Sequence, residues 1–275
     1  MKYTPRQPGS NVNVTPTSPL REFFLLTAGL LGMVIVIYMV LGLAMDLIVP
    51  RISTDLENRI GGLFIGSIEA KDSDSKRGSY VRSLLEDLQD RCARLPYLFK
   101  VHIRQSPTVN AVALPGGHII VYTGLLDKVA SENELAFVLA HEMGHFAHRD
   151  HLRGMGRAFV FITISTLLLG TDSSISKMLA HGLNITEMSF SRKQETRADE
   201  FALETLHCDY GHVAGATDFF EKISKAEDPG KFGHYLASHP ESRKRISHLE
   251  NIIRSRGFKL GKPKPLPQTW RQLKE

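Results

Sequence analysis

The stretch SENELAFVLAHEMGHFAH, from Ser131 to His148, determines how the rest of the chain is interpreted. Ser131 stands three residues before Glu134, the spacing of a capping box at the start of a helix. Apolar residues then recur at helical intervals, beginning with Leu135 and Leu139. The sequence therefore predicts one well-capped amphipathic helix through this stretch.

This helix carries a metal-binding pattern. His141 and His145 are four residues apart, so both imidazoles lie on one helix face and within reach of one ion. Neutral imidazole nitrogens are zinc ligands, and zinc lowers the pKa of water to about 7. Glu142, next to the first histidine, can accept the proton of that water. We therefore expect one Zn²⁺ per chain and hydrolytic chemistry.

A third ligand is expected downstream, in SRKQETRAD over 191–199. Glu195 and Asp199 are four residues apart on a second predicted helix. Glu195 can bind zinc while Asp199 accepts the free ring N–H of a ligand histidine, which fixes the ring's orientation. The alternative is an exposed charged surface in which Arg192 and Arg197 pair with these acids.

Three short strands are predicted upstream of the metal-binding helix. Alternation around Val101 predicts the first, and the segments 110–114 and 118–122 flank Pro115-Gly-Gly, a strong turn signal. We expect a small antiparallel sheet within a mostly helical α+β domain. The second strand is expected to present an exposed edge that pairs with an extended peptide substrate; its residues are Asn110, Ala111, Val112, Ala113 and Leu114.

A membrane segment precedes the domain. Phe23 to Met45 are 23 consecutive residues without a charge. A helix of this length reaches about 35 Å, enough for a hydrocarbon core of about 30 Å. A cleaved signal peptide is the alternative, with a small-residue pattern at Gly42-Leu-Ala44. Because the apolar part of a signal peptide usually runs about 7–15 residues, a retained transmembrane helix over 23–45 is favoured.

The orientation follows from the N-terminal arm. Lys2, Arg6 and Arg21 precede the first acid, whereas the charges after the apolar segment are mixed. The positive-inside bias therefore predicts a cytoplasmic N-terminus and a catalytic domain across the membrane. We expect a single-pass protein of a bacterial inner membrane that faces the periplasm.

The remaining chain is divided by composition. The predicted parts are a cytoplasmic arm (1–22), the transmembrane helix (23–45), a juxtamembrane helix and linker (46–78), the catalytic domain (79–256) and a basic tail containing prolines (257–275). The arm and the tail are expected to be loosely ordered. An apolar stretch at 158–169 is too short to span a membrane, so it is either a core helix or a membrane-dipping helix. Further helices are expected at about 176–188, 191–207, 212–226 and 240–256.

The net charge and the two cysteines add little to the functional interpretation. The net charge of +5 comes from scattered residues without a nucleic-acid motif, so no nucleic-acid partner is expected. Cys92 and Cys208 lack metal-site spacing. They form either one disulfide or two buried thiols, and the sequence favours buried thiols. Nothing in the sequence indicates an oligomeric state.

Taken together, these motifs resemble the HtpX-type and CAAX-prenyl-endopeptidase-type metalloproteases, peptidase family forty-eight of the metallo class, within the gluzincin group. The resemblance runs from about Asn110 to Ile246. Its elements, in order, are Asn110-Ala111 through Pro115-Gly-Gly117, the His-Glu-x-x-His motif at 141–145, Ser-Arg-x-x-Glu-x-x-Ala-Asp at 191–199, and Ser238-His-Pro240 with Arg245-Ile246.

The resemblance implies a zincin (thermolysin-like) fold and a zinc metalloendopeptidase acting on protein or peptide substrates. Zinc would be held by His141, His145 and Glu195, with Glu142 as general base and Asp199 behind a ligand. His239 would stabilise the transition-state oxyanion or occupy the open coordination position. Those families have several membrane helices, whereas this chain has one clear span, so it is more similar to single-anchor members that act in envelope protein quality control.

Two rival functions remain at this stage. In a metzincin the third ligand would be His151, ten residues after His141. That geometry needs a helix break at a glycine, but residue 148 is histidine. On an uninterrupted helix His151 would lie about 9 Å beyond His145 along the axis. The second rival is a non-catalytic chaperone or scaffold that retains the protease fold.

Overall fold

The computed structural model describes residues 18–67, 76–156, 190–225, 232–240 and 242–270. The arm before residue 18, the apolar stretch 158–169 and the helix expected at 176–188 lie outside the described residues. The helices, in chain order, are α1 (Pro19–Ile48), α2 (Thr54–Ser67), α3 (Lys76–Leu88), α4 (Thr123–Leu126), α5 (Glu132–Ala147), α6 (Arg192–Tyr210), α7 (Asp218–Ser224), α8 (Gly233–Ser238) and α9 (Ser242–Arg256). The strands are β1 (Lys100–Arg104), β2 (Ala111–Leu114) and β3 (His118–Tyr122).

The sheet is mixed, with the order β1-β3-β2. β2 and β3 form the predicted antiparallel hairpin, but β1 runs parallel to β3. The expectation of a wholly antiparallel sheet was therefore wrong. The chain between β1 and β2 crosses over and leaves the central position to β3, which is buried at every residue, whereas β1 exposes both of its ends. The central strand β3 therefore has a neighbour on each side.

Helix α5 begins as predicted. The Ser131 hydroxyl accepts a hydrogen bond from the backbone N–H of Glu134, and the Glu134 carboxylate accepts one from the N–H of Ala130. The prediction that this helix is amphipathic was wrong: α5 is buried from Glu132 to Phe146, because it passes through the centre of the hydrophobic core. It is therefore a rigid support for the side chains it carries.

Helix α5 ends at Ala147, so the predicted uninterrupted helix through His151 was wrong. Arg149 adopts a left-handed backbone conformation with φ of 54°, and the chain then resumes as a helix over 150–156. A glycine was expected to be necessary for such a break, but here Arg149, a non-glycine residue, adopts the left-handed conformation that ends the helix. The side chain of Arg149 is held by hydrogen bonds to the carbonyl groups of Val49 and Ile52.

The helices after α5 follow the predicted order with shifted boundaries. α6 runs three residues past the expected end and stops where Gly211 takes a left-handed φ of 70°. The helix expected at 212–226 is shorter, because residues 214–217 form a turn before α7. α8 was not predicted. It lies between 232 and 240 and ends at Ser238, just before Pro240.

Cys92 and Cys208 form a disulfide, so the favoured buried thiols were wrong. A π-helical turn, Gln89–Ala93, follows α3 and directs Cys92 towards the end of α6. The two Cα atoms lie 5.9 Å apart although 116 residues separate them in sequence. The periodicity of hydrophobic residues reflects local structure, so it does not predict a contact between two helices so far apart in the chain.

The tail packs against the domain, so the expectation of loose order does not hold over 257–270. Trp270 is 5% exposed, and its indole N–H donates to the carbonyl of Leu126. Lys264 aligns with the start of α5, since its carbonyl accepts from the N–H of Glu132 and its N–H donates to the side chain of Asn133. One buried tryptophan and a short backbone pairing thus hold this polar tail segment against the catalytic domain.

The N-terminal helix is long and apolar enough to cross a membrane. The helical run Pro19–Arg51 spans 33 residues with a mean hydropathy of 2.6 in its most apolar window, none of it buried in the protein. α2, Thr54–Ser67, follows it within the segment predicted to hold a juxtamembrane helix and a linker (46–78).

Candidate metal centre

The site forms where α5 and α6 come unusually close. A Cβ atom on Gly144 would lie only 2.8 Å from the Cα atom of Ala198. Glycine on one helix and alanine on the other therefore permit a contact that larger side chains would block. This close approach brings the carboxylate of Glu195 to the histidine-bearing face of α5.

Four buried side chains converge at this contact. Each offers one ligand atom, and these atoms all lie within 4.8 Å of one another: His141, His145, Glu195 and His239. The Nε2 atoms of His141 and His145 are 3.2 Å apart. The carboxylate oxygens of Glu195 lie 3.6 Å from the first and 3.5 Å from the second. The three residues singled out by the sequence therefore face a common point.

A carboxylate stands behind each of the two α5 histidines. Oδ1 of Asp199 lies 2.9 Å from Nδ1 of His141, and Oδ2 of Asp150 lies 3.3 Å from Nδ1 of His145. These contacts place the ring proton on Nδ1 and leave Nε2 directed into the site. Asp150 in turn accepts from the amide of Gln194.

Asp150 was missed at the level of sequence. It follows His145 by five residues, a spacing that does not bring side chains together on a continuous helix. The left-handed residue Arg149 reverses the chain and makes the contact possible. Phe190 was also missed; its ring stacks on that of His145 at 3.7 Å between centroids and shields it from solvent.

His239 joins the site from the end of α8. Its Nδ1 lies 3.1 Å from Oε1 of Glu195 and 3.3 Å from Nε2 of His141. Its Nε2 lies 3.6 Å from Oε1 of Glu142. The ring stacks on Tyr235, which fixes its plane. His239 is therefore close enough both to a metal position and to the expected general base.

Glu142 is fully buried, and its carboxylate oxygens make no side-chain hydrogen bond among the described residues. Nε2 of His239, 3.6 Å from Oε1, and the backbone of Ala113 are its polar neighbours. Burial raises the pKa of Glu142, although the neighbouring His239, His145 and the backbone of Ala113 act in the opposite direction. A buried carboxylate with such weak polar contacts lowers the stability of the fold. Its position beside the converging donors fits a group that meets water and substrate.

Arg245, from α9, is a further buried member of the site. It donates to both oxygens of Asp199 and pairs with Glu195, and its guanidinium lies over the ring of Phe220. The sequence marked Arg245 only as part of a motif and assigned it no role. Its contacts hold the two carboxylates of α6 in place relative to α9.

The charges of the site favour a bound cation. Burial lowers the pKa of His141 to about 3, with Arg245 acting in the same direction. Burial also lowers the pKa of His145, but Asp150 and Glu195 outweigh it and raise the pKa to about 9. The carboxylates of Asp150 and Glu195 thus stabilise positive charge beside His145. Two imidazoles and a carboxylate are the donor set of zinc in hydrolases, so the residues present fit the metal.

The metzincin alternative is not supported. His151 is buried, but its Nε2 bonds to Oε1 of Glu57 at 2.8 Å, and it does not belong to the converging cluster. After the helix break at Arg149, the ring lies on the side of the chain that faces α2. His151 is therefore hydrogen-bonded to Glu57, away from the four converging residues.

The expected substrate strand borders the site, but the prediction of an exposed edge was wrong, because residues 110–114 are all buried. The register of the strand determines which backbone groups face away from the sheet. β2 is an edge strand of the described sheet. The N–H of Tyr122 donates to the carbonyl of Asn110, so the backbone groups of residues 110, 112 and 114 face β3. The backbone groups of Ala111 and Ala113 face the outer edge, where the N–H of Ala111 donates to Oδ1 of Asn110 and the backbone of Ala113 lies beside Glu142.

A helix with two histidines four residues apart, a glutamate on a second helix beside them and a buried glutamate next to the first histidine together define a zincin-type metallopeptidase. Comparison with known proteins agrees. The model of peptidase family M48 matches residues 75–253, more than half of the chain, and the chain belongs to this family. Metalloproteases of this family use zinc.

Three relatives illustrate the similarity. The chain is 31% identical over 170 residues to metalloprotease LoiP of Escherichia coli, covering 60% of this chain and 66% of LoiP. It is 31% identical over 179 residues to mitochondrial metalloendopeptidase OMA1 of Schizosaccharomyces pombe, covering 64% and 52%. It is 28% identical over 186 residues to metalloprotease YcaL of Escherichia coli, covering 66% and 72%. The chain thus spans less than two thirds of the length of the first two relatives.

Proposed function

We propose that this protein is a membrane-anchored, zinc-dependent endopeptidase that hydrolyses peptide bonds in protein substrates outside the cytoplasm. The observation that carries the proposal is the buried Glu142, without a side-chain hydrogen bond among the described residues, beside the ligand atoms of His141, His145 and Glu195. A weakly partnered buried carboxylate costs folding free energy, and a non-catalytic scaffold gains nothing from keeping it.

The residues have distinct roles in this proposal. His141, His145 and Glu195 hold the metal. When bound, zinc supplies Lewis acidity, which lowers the pKa of water and polarises a carbonyl group. Glu142 takes the proton of the attacking water on a carboxylate oxygen and passes it to the leaving amide nitrogen. Its raised pKa suits a group that must both accept and return a proton.

His239 is assigned to the developing oxyanion and not to a fourth protein ligand. A catalytic zinc site keeps one position open, and three protein ligands already come from α5 and α6. The ring lies beside both Glu195 and Glu142, so an N–H there can donate to a substrate oxygen that gains negative charge.

The substrate is proposed to bind as an extended strand along the outer edge of β2. The backbone groups of Ala111 and Ala113 face that edge, and main-chain hydrogen bonding tolerates many side chains. Such recognition suits unfolded segments of many proteins. It is the reason for proposing envelope protein quality control as the biological role.

The anchor and its orientation are also proposals. The length and exposed apolar surface of α1 support a transmembrane anchor. The disulfide between Cys92 and Cys208 supports a catalytic domain in an oxidising compartment such as the periplasm. In spheroplasts, protease added from outside should digest the domain. Protection until lysis would reverse the orientation.

Activity is tested with the purified full chain in detergent. Denatured protein should be cleaved, and the same protein in its folded state should be cleaved far more slowly. A strong chelator should abolish cleavage, and added zinc should restore it. Cleavage that persists in zinc-free protein would contradict the proposal.

A further inference from the structure

Glu57 is a buried carboxylate that the proposed catalytic mechanism does not use. It lies on α2, the helix that follows the membrane anchor, and its exposed fraction is 0%. A carboxylate so deeply buried on a short juxtamembrane helix is unusual, because charged side chains are rarely enclosed without a specific set of partners.

Its partners come from three different parts of the catalytic domain. Oε1 accepts from Nε2 of His151 at 2.8 Å and from the backbone N–H of Gly116 at 3.3 Å. Oε2 accepts from the hydroxyl of Tyr97 at 3.1 Å. One side chain therefore connects α2 with the segment after α5, with the β2-β3 turn and with the chain leading into β1.

Two of these partners lead directly to the site. Nδ1 of His151 lies 3.4 Å from the carbonyl oxygen of His145, and its ring packs on Phe146. Gly116 belongs to the turn that ends β2, the strand whose outer edge borders Glu142. Glu57 is thus connected through His151 to the turn of α5 that carries His145, and it directly contacts the turn that follows the proposed substrate strand.

Further contacts dock the same region of the chain onto the domain. Arg149 donates to the carbonyl groups of Val49 and Ile52, and Arg153 pairs with Asp46 at 3.2 Å. These contacts tie the membrane-proximal chain to residues immediately after α5. The helix break after α5 is therefore held from the side of the anchor.

The packing beside Glu57 leaves no space for larger residues. A Cβ atom on Gly61 would lie 2.1 Å from the carbonyl oxygen of Pro115, and one on Gly116 would lie 3.1 Å from the Cα atom of Asn58. α2 therefore rests directly on the β2-β3 turn. Burial acts to raise the pKa of Glu57, but His151, Gly116 and Tyr97 outweigh it and lower the pKa, which keeps the carboxylate charged.

We propose that Glu57 is a positioning residue that sets the distance between the metal-binding turn of α5 and the substrate strand β2, and so makes the membrane-proximal helix part of the catalytic unit. The proposal rests on the proposed function, because it assigns β2 to the substrate. Through this residue, the chain that follows the anchor also fixes the position of β2 relative to the metal-binding turn of α5.

The test compares Glu57→Ala with a matched control, Glu132→Ala. Glu132 is also a buried carboxylate with three side-chain partners, but it lies at the opposite end of α5 from the histidines. Both variants, together with Glu57→Gln and Glu57→Asp, are made in the full chain in detergent. Melting temperature, zinc retention against a chelator, amide hydrogen exchange and kcat/KM on a peptide are measured.

We expect both alanine variants to lower the melting temperature, whereas only Glu57→Ala accelerates exchange at Gly116 and across 145–151. Only this variant should lower kcat/KM, by about tenfold, since a shift of about 1 Å in a catalytic group can cost up to about 100-fold. Glu57→Gln keeps the oxygen acceptor and should restore most of the loss. If Glu57→Ala does not fold, Glu57→Asp, which is one methylene shorter, should show the same pattern in weaker form.

Equal kcat/KM for the Glu57 and Glu132 alanine variants would overturn the proposal, as would unchanged exchange at Gly116 and across 145–151. Failure of the proposed function is recognised separately. In that case the wild-type protein with zinc cleaves nothing, while hydrogen exchange and zinc retention still decide whether Glu57 positions the site.

Discussion

Oδ1 of Asp199 lies 2.9 Å from Nδ1 of His141. Asp199 is one helical turn beyond Glu195 on α6. Through this spacing α6 supplies a ligand carboxylate and the carboxylate that orients a ligand imidazole. Arg245 donates to the same Asp199 and neutralises its charge. The orientation of His141 therefore depends on Asp199, which is not one of the four residues whose ligand atoms converge.

Replacing Asp199 should weaken zinc binding without abolishing it. Asp199→Ala removes the acceptor behind His141, and loss of such a partner typically costs about 10–100-fold in metal affinity. Chelator competition measures the effect. Asp199→Asn, which keeps an oxygen acceptor, should lose less. Equal affinity for wild type and the alanine variant would remove Asp199 from the support of the metal.

The identity of the third ligand is tested by comparing two substitutions. Glu195→Ala should lose stoichiometric zinc, because it removes a ligand that lies within 3.6 Å of both α5 imidazoles. His151→Ala should retain one zinc per chain, since His151 is bound to Glu57. Zinc is measured by atomic spectroscopy after gel filtration. The opposite pattern would favour the metzincin arrangement.

Proline substitutions test the substrate strand, and its register predicts different results at adjacent positions. The N–H of Ala113 faces the outer edge, so Ala113→Pro should leave the sheet intact and remove one hydrogen bond to substrate. Such a bond contributes about 1 kcal/mol, so KM should rise at least roughly fivefold.

The control is Val112→Pro, whose N–H faces β3 and whose substitution should destabilise the fold itself. Circular dichroism and peptide kinetics separate the two effects. A folded Ala113→Pro protein with unchanged KM would place the substrate elsewhere.

The disulfide should contribute to stability. Its loop of 116 residues is long, and native disulfides typically contribute about 2–4 kcal/mol by restricting the unfolded chain. A reductant should therefore lower the urea midpoint of the wild-type protein. The Cys92→Ser, Cys208→Ser double variant should start at the lower midpoint and not respond. A wild-type midpoint that is insensitive to a reductant that demonstrably breaks the bond would contradict this contribution.

Local periodicity predicted the helices and strands whose sequence signals are strong. The cap at Ser131, the helix α5 and the β2-β3 hairpin all follow from patterns within a few residues. His141 and His145 come together because four residues make one helical turn. For Glu195, the chemical type of the residue and its spacing from Asp199 were the signal.

Features formed by distant or irregular chain were not predictable in this way. The parallel pairing of β1 depends on a crossover, and the disulfide depends on a π-helical turn. Asp150 reaches His145 only because Arg149 takes a left-handed conformation. Trp270 docks through one side chain in a polar tail. None of these leaves a periodic pattern in the sequence.

The central claim is tested most directly by the rate of peptide hydrolysis of Glu142→Gln at zinc content equal to wild type. The amide keeps the shape of the side chain but cannot take a proton from water, and general bases contribute about 10²–10⁴-fold to such reactions. We predict one zinc per chain, an unchanged melting curve and a rate reduced by at least about 100-fold. A zinc-loaded Glu142→Gln protein with the wild-type rate would contradict the account.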